Sequence, residues 1–251
     1  MSTVNEHYER LLSQHSTWMF GGSFEERVND QKSFLSRTLE PLNYLPEAAL
    51  AVDLGCGPGF QTIALAQLGF SPVIAIDTSS ELLDELRSHV NGLPIRMEQA
   101  DLQTLPAIVQ LGQATVIVCM GDTLTHLPAK RDVSALFRGV FDRLRPGGMF
   151  VITYRDLTTE LYGTDRFIPV RSDENKIMTC FLEFESPESV VVHDLVYVRQ
   201  DMGWSLNKSC YRKLRLGIGW VCEELIKTGF HILSQDLSGR LIGLAAAKPF
   251  R

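Results

Sequence analysis

Leu50-Ala51-Val52-Asp53-Leu54-Gly55-Cys56-Gly57-Pro58-Gly59-Phe60-Gln61-Thr62-Ile63-Ala64 is the stretch whose reading decides the fold. It runs from an apolar strand through three alternate glycines straight into a helix containing Ile63, Ala64 and Leu68. Glycine lets the backbone take positive φ and approach a ligand closely, and the helix that follows presents N–H groups with no intrahelical partner. A nucleotide-like ligand is therefore expected across this loop, at the carboxyl ends of the strands. Asp77 ends the next apolar run, eighteen residues past Gly59. A carboxylate there is placed to accept from two ribose hydroxyls, with Thr78, Ser79 and Glu81 free to cap the following helix. Asp101-Leu102 follows a third strand, where a carboxylate can accept from an exocyclic adenine amine.

Working outward, apolar runs at Leu50–Leu54, Val73–Asp77, Ile95–Gln99, Thr115–Met120 and Met149–Tyr154 alternate with helical patterns, the mark of a parallel sheet covered by helices. The clearest helix carries Val133, Leu136, Phe137, Val140, Phe141 and Leu144 and is expected to stop at Pro146-Gly147-Gly148. From Lys176 to Leu216 the period changes to two, which reads as three antiparallel strands joined by short turns. A helix near Trp220–Thr228 and a hairpin of Phe230–Gln235 with Leu241–Ala246 close the chain, and two helices, Val4–Ser13 and Phe24–Leu39, precede the core. The expected organisation is α/β: residues 1–45 as N-terminal helices and lid, 46–170 with 217–251 as a Rossmann-like core with an antiparallel terminal hairpin, and 171–216 as a small antiparallel β cap over the substrate site.

Composition narrows the partners. With 24 Lys plus Arg against 30 Asp plus Glu, the net charge is −6, and no basic run stands out, which disfavours a nucleic-acid footprint. The five cysteines are scattered with no C-x-x-C pair, so neither a disulfide framework nor a metal site is indicated and a cytoplasmic setting is expected. No apolar stretch approaches membrane-spanning length, so no membrane is expected among the partners. Between monomer and homodimer the sequence does not choose.

Gly55, Gly57 and Gly59 give G-x-G-x-G rather than the G-x-G-x-x-G of dinucleotide folds, and Asp53 ahead of them disfavours a pyrophosphate and suits an ammonium group. On these residues the chain resembles class I S-adenosylmethionine-dependent methyltransferases over roughly Leu50–Ala247, with Asp53–Gly59, Asp77, Asp101-Leu102 and Leu144-Arg145-Pro146-Gly147-Gly148 in the family's order. The resemblance implies S-adenosyl-L-methionine as cofactor, its methionyl part over Gly55, Gly57 and Gly59, its ribose on Asp77 and its adenine between Asp101 and Leu102. Asp53, Cys56, Thr78, Met120 and Gly121 complete the expected contacts, with Trp18 and Phe20 as lid or as a hydrophobic staple. A nicotinamide-dependent oxidoreductase is the weaker alternative, and a non-catalytic S-adenosylmethionine-binding protein is another.

The segment Gly121-Asp122-Thr123-Leu124-Thr125-His126-Leu127 lacks the N/D-P-P-F/Y-like tetrapeptide of nucleic-acid and protein amine methyltransferases and resembles the small-molecule branch, in part glycine and sarcosine N-methyltransferases. That implies a small-molecule acceptor, an amine or a carboxylate-bearing metabolite, with Arg155 on the carboxylate. Where that family has His, this chain has Tyr154, which is either an acceptor contact or a packed aromatic. His126 is read as a general base or a structural residue, and Asp122 as steering an amine or holding its loop. On the cap, Asn207, Ser209 and Tyr211 share a strand face that suits an uncharged acceptor, and Arg212, Lys213 and Arg215 read as a solvated strand. With these as the densest basic cluster, a gel-shift assay at physiological salt should show no retarded DNA or RNA band.

Overall fold

The computed structural model describes residues 3–42 and 48–250; the expected boundary at 45/46 lies outside them. In chain order the strands are β1 (Ala51–Leu54), β2 (Val73–Asp77), β3 (Ile95–Gln99), β4 (Ala114–Cys119), β5 (Leu144–Tyr154), β6 (Phe167–Ser172), β7 (Lys176–Phe184), β8 (Ser189–Gln200), β9 (Gly203–Leu214), β10 (His231–Asp236) and β11 (Ile242–Ala247). The helices are α1 (Val4–His7), α2 (Ser16–Phe20), α3 (Phe24–Thr38), α4 (Phe60–Gln67), α5 (Ser80–His89), α6 (Leu105–Ile108), α7 (Lys130–Arg143) and α8 (Ile218–Thr228).

The larger sheet has the order β10-β11-β5-β4-β1-β2-β3. β1 to β5 are parallel and β11 alone runs against them, so the terminal hairpin closes one edge as expected. β1 is buried at every position because it lies between two neighbours with helices on both faces. Side chains alternate across β5: Phe150, Ile152 and Tyr154 meet Val133, Phe137 and Val140 of α7 and Val221 and Leu225 of α8. Met149 and Val151 instead meet Val28 and Leu35 of α3, Ile63 and Leu65 of α4, and Leu86 of α5. All the glycine-loop chemistry lies at one end of this three-layer stack, where β1, β2 and β4 stop.

Two elements differ from the sequence reading. α7 ends at Arg143, and β5 begins at Leu144 and carries Pro146-Gly147-Gly148 inside it rather than starting at Met149. Leu144 fits both periods, because its side chain enters the same core as the last turn of α7. The Gly147 N–H donates to the Lys248 carbonyl, the Lys248 N–H donates to the Gly148 carbonyl, and the register against β4 shifts between Ala114 and Val116. The smaller sheet has four strands, β6-β7-β8-β9, rather than three. The additional strand contains Pro169 beside a register shift and sits at the edge, which is where proline is tolerated in a sheet and why the alternation was hard to read.

One face of the smaller sheet is covered by the N-terminal segment. The expected single helix over Val4–Ser13 is broken there: α1 passes into a π turn at Tyr8–Leu12 and a 3-10 turn at Ser13–His15 before α2. Leu11 and Leu12 pack on Met178 and Val196, with Tyr8, Trp18 and Met19 around them. We call residues 3–20 the strap. The sheet is also tied to the core by Arg215, whose guanidinium donates to the carbonyls of Leu157, Thr158 and Ser186 and pairs with Glu160. This corrects the reading of Arg212, Lys213 and Arg215 as solvated: Lys213 and Arg215 are buried, and only Arg212 stays outside, bidentate on Glu185. Strand parity explains Lys213, which falls on the inner face with Tyr211.

A methyl group on Gly148 would lie 2.9 Å from the Arg145 carbonyl oxygen and 3.1 Å from that of Ala114, neither of which can swing away, whereas one on Gly219 in α8 would meet nothing within 4 Å. Gly148→Ala should therefore destabilise the protein by about 1 to 3 kcal/mol and Gly219→Ala should be neutral or mildly stabilising, as read by urea unfolding.

Candidate active site

At the strand ends a cavity of about 680 Å³ opens under the strap. Its floor is the glycine loop. Gly55, Gly57 and Gly59 all have positive φ, and the Gly55 and Cys56 N–H groups both donate to the Ile76 carbonyl, at 2.8 and 3.0 Å, which pins the loop to the end of β2. A side chain at Gly55 would collide with Thr123, and one at Gly59 with Leu86. At Gly57 nothing lies within 4 Å, because that backbone faces the cavity. Gly55, Cys56 and Gly57 line the cavity; Gly59 does not, and serves instead as the left-handed residue that starts α4.

The two acidic positions around this floor behave differently. Asp77 lines the cavity, but it is not left free as the sequence suggested: Oδ2 accepts from the Gly57 N–H at 2.8 Å and Oδ1 from the Ser79 N–H at 2.9 Å. Each carboxylate oxygen keeps a second lone pair for a ligand hydroxyl. Burial pushes its carboxyl up, and the backbone donors pull it back. Ser79, not Thr78, caps α5, and the Thr78 hydroxyl donates to Asn5 of the strap. Asp53 lies behind the loop, 1 % exposed and off the cavity wall. It accepts from the Thr62 hydroxyl at 2.6 Å, and burial pushes its carboxyl up to about 7. Asp53 thus ties β1 to α4 rather than offering charge to a ligand. Farther along, Thr78, Asp101 and Leu102 form one wall, with Asp101 accepting from the Gln103 N–H.

The opposite wall is built from the turn after β4. Met120 and Gly121 line it, and the Gly121 N–H donates to the Thr153 hydroxyl at 2.8 Å. Asp122, left-handed at φ 81°, is buried and held on all sides. One oxygen takes the Thr125 hydroxyl and the Arg155 N–H, and the other meets the Lys213 ammonium at 2.5 Å. Although burial works the other way, the Lys213 ammonium, with Arg155 adding positive charge, holds its carboxyl below the usual carboxylate range. His126 lines the cavity opposite Tyr8, ring centroids 5.7 Å apart, with Tyr211 edge-on at 5.6 Å. Burial and the nearby Lys213 charge depress the imidazole to about 3, and its Nε2 has no hydrogen-bond partner among the described residues.

Three other expected residues stand elsewhere. Tyr154 does not reach the cavity: strand parity turns it with Phe150 and Ile152 into the α7–α8 core, fully buried. Its neighbour Thr153 takes the cavity position. Arg155 is exposed and off the cavity wall, and no ion pair joins it to Asp156 among the described residues. Trp18 turns to the cap and donates to Asp173, whereas Phe20 lines the cavity and meets Phe60 edge-on at 5.6 Å.

Four of the lining residues that escaped the sequence reading come from the strap and α3. Tyr8 comes from the strap, with no pattern to distinguish it from a packing aromatic. Arg27, Gln31 and Phe34 of α3 all line the cavity, and their spacing of four and three on one helix face was the available signal. Arg27 pairs with Asp30 through Nη2, yet its Nε is buried without a partner among the described residues. A cavity with an open glycine backbone, a carboxylate on its wall with lone pairs to spare and a buried guanidinium N–H without a partner among the described residues fits an adenosyl amino acid.

Comparison with known proteins agrees. Residues 51–148 match a family described as a methyltransferase domain. YqeM of Bacillus subtilis, a protein named as a methyltransferase, is 32% identical over 156 residues, 61% of each chain. Glycine N-methyltransferase of Rattus norvegicus is 30% identical over 144 residues, 51% of this chain and 49% of its own. The matched stretch thus spans about half to three fifths of these relatives. Among solved structures, an S-adenosylmethionine-dependent methyltransferase from Clostridium acetobutylicum superposes with a TM-score of 0.75 over 97% of both chains at 18% identity. CalS10, an amino pentose methyltransferase from Micromonospora echinaspora solved with S-adenosylmethionine, gives 0.68 over 94% of this chain and 96% of its own at 16% identity. Residues 51–148 thus match the methyltransferase-domain family, and from end to end the chain has the fold of the solved S-adenosylmethionine-dependent methyltransferases.

Proposed function

We propose that the protein methylates the nitrogen of a small, uncharged amine, with S-adenosylmethionine as donor. The observation that supports this reading is the buried His126 Nε2, without a hydrogen-bond partner among the described residues, on a ring that lines the cavity and meets the Tyr8 ring edge to face. When bound, the cofactor supplies a methyl group activated on a sulfonium, so the protein has to align a nucleophile and exclude water. Gly55, Gly57, Asp77, Asp101 and Arg27 would hold it, with Arg27 on the carboxylate.

The remaining groups treat the acceptor. At about 3, His126 is neutral throughout the physiological range, so its role is orientation and not proton storage. Its unprotonated nitrogen accepts from an amine N–H and aims the lone pair elsewhere. The Tyr8 hydroxyl is held protonated by burial and by the charges of Asp77, Asp122 and Asp194. Neither side chain is a base strong enough to activate an alcohol or carbon acid, whereas an amine free base needs no activation. The strap closes the cavity above, with Asn5 on Thr78 and Thr17 on Glu85, and so keeps water from the methyl group.

Two measurements test this. Asp77→Ala and Arg27→Met should each weaken calorimetric binding of S-adenosylhomocysteine by about 1.5 to 3 kcal/mol, the range for a lost charged hydrogen bond; wild-type affinity in both variants would reject the assigned subsites. With methyl-labelled cofactor and a panel of small primary and secondary amines, label should appear on nitrogen. Its kcat/KM should rise with pH only through the acceptor's own ionisation. His126, already deprotonated well below pH 5, should add no limb between pH 5 and 9. Label on oxygen or carbon, or a limb near pH 6 that His126→Asn abolishes, would overturn the reading.

A further inference from the structure

The cap reaches into the catalytic end of the core through one side chain that the chemistry above does not use. Lys213 projects from β9 and places its ammonium 2.5 Å from Asp122 Oδ2, with side-chain exposures of 10% and 8%. It is also 5.6 Å from the Tyr211 ring, against which His126 packs edge-on. Asp122 begins the turn that ends at His126, and its second oxygen is already occupied by Thr125 and by the Arg155 N–H.

The charge balance around His126 is therefore closed. Its neighbours are Asp122 on its own turn, Lys213 and Tyr211 from β9, and His7 and Tyr8 from the strap. Arg155 adds positive charge at Asp122, and His7 is engaged by Asp194 at 2.9 Å. One carboxylate answers one ammonium. A further cation beside His126, whether an imidazolium or an incoming ammonium, would be repelled by Lys213 and would find Asp122, the carboxylate that acts on His126, already paired, the Asp77 and Asp194 charges bearing instead on Tyr8.

We propose that Lys213 is a positioning residue of the acceptor site: through Asp122 it fixes the turn that carries His126, and its charge keeps that imidazole neutral and admits the acceptor as free amine rather than ammonium. This rests on the amine reading above. The cap is thereby more than a cover, since it sets which protonation state of the substrate enters. The depressed titration of His126, with Lys213 the largest contributor after burial, is consistent with the geometry.

The test needs no identified acceptor. In the protein saturated with S-adenosylhomocysteine, the His126 ring proton, assigned by its loss in His126→Asn, is followed by NMR as a function of pH. Wild type and Lys213→Arg should show no titration above pH 5. Lys213→Met, which leaves the Asp122 carboxylate unopposed, should raise the midpoint by about one to three pH units. Should Lys213→Met fail to fold, the double variant Asp122→Asn/Lys213→Met, which strands no charge, should move the midpoint upward by less. Titration of wild-type His126 near pH 6.5, or no upward movement in the folded Lys213→Met or double variant, would overturn the proposal. Absence of label on any amine, with His126 titrating as expected, would instead sink the amine reading and leave the electrostatic role of Lys213 standing.

Discussion

Everything at the catalytic end depends on one backbone constraint: between Leu54 and Phe60 the chain must leave a buried strand, turn and enter a helix without putting a side chain into the space above. Left-handed glycines solve it, since an L-residue at Gly55 or Gly59 would be strained in φ and would strike Thr123 or Leu86. The paired N–H donation from Gly55 and Cys56 to the Ile76 carbonyl then locks the turn to β2, so Asp77 and the cavity floor move as one piece. The turn after β4 is anchored to the same floor, because the Thr123 hydroxyl sits over the Gly55 carbonyl. Two strand ends and two turns thus form a single rigid platform.

Local signals made the platform legible. The apolar run before the glycines, the carboxylate at the end of the next strand and the alternation from Lys176 to Leu216 all act over a few residues, and each corresponds to an element in the structure. Parity is where the reading failed. Tyr154 ends β5 as expected, but with a period of two one residue decides which face a side chain takes, so Thr153 meets the cavity and Tyr154 the core. Nothing near Tyr154 in the sequence marks which face holds the ligand.

The other gaps are long-range. Lys213 looked like one of three surface charges because its partner, Asp122, lies 91 residues earlier. Asp77 looked free because its Gly57 donor comes from a different loop. Tyr8 had no local signature at all. Sequence exposes covalent neighbours and periodicity, whereas a site assembled from the strap, the platform and the cap is a property of tertiary packing. Arg27, Gln31 and Phe34 were the exception, a stripe visible on α3 once a cavity is known to lie above it.

The strap carries a cost that bears on how the molecule comes to exist. Its buried polar atoms include His7 Nδ1, Ser13 Oγ and His15 Nδ1, none with a partner among the described residues, and its firmest hold is the His7–Asp194 pair, 187 positions apart in the chain. During synthesis residues 3–20 therefore emerge long before β8 and β9 exist to receive them. Thr78 and Glu85 can receive part of the strap early, but the apolar face on which Leu11 and Leu12 pack is complete only once β9 has left the ribosome. The roof of the cavity precedes its floor in the chain yet is fully seated only after it, so the nascent core passes through a stage in which the glycine-loop floor is complete and incompletely covered.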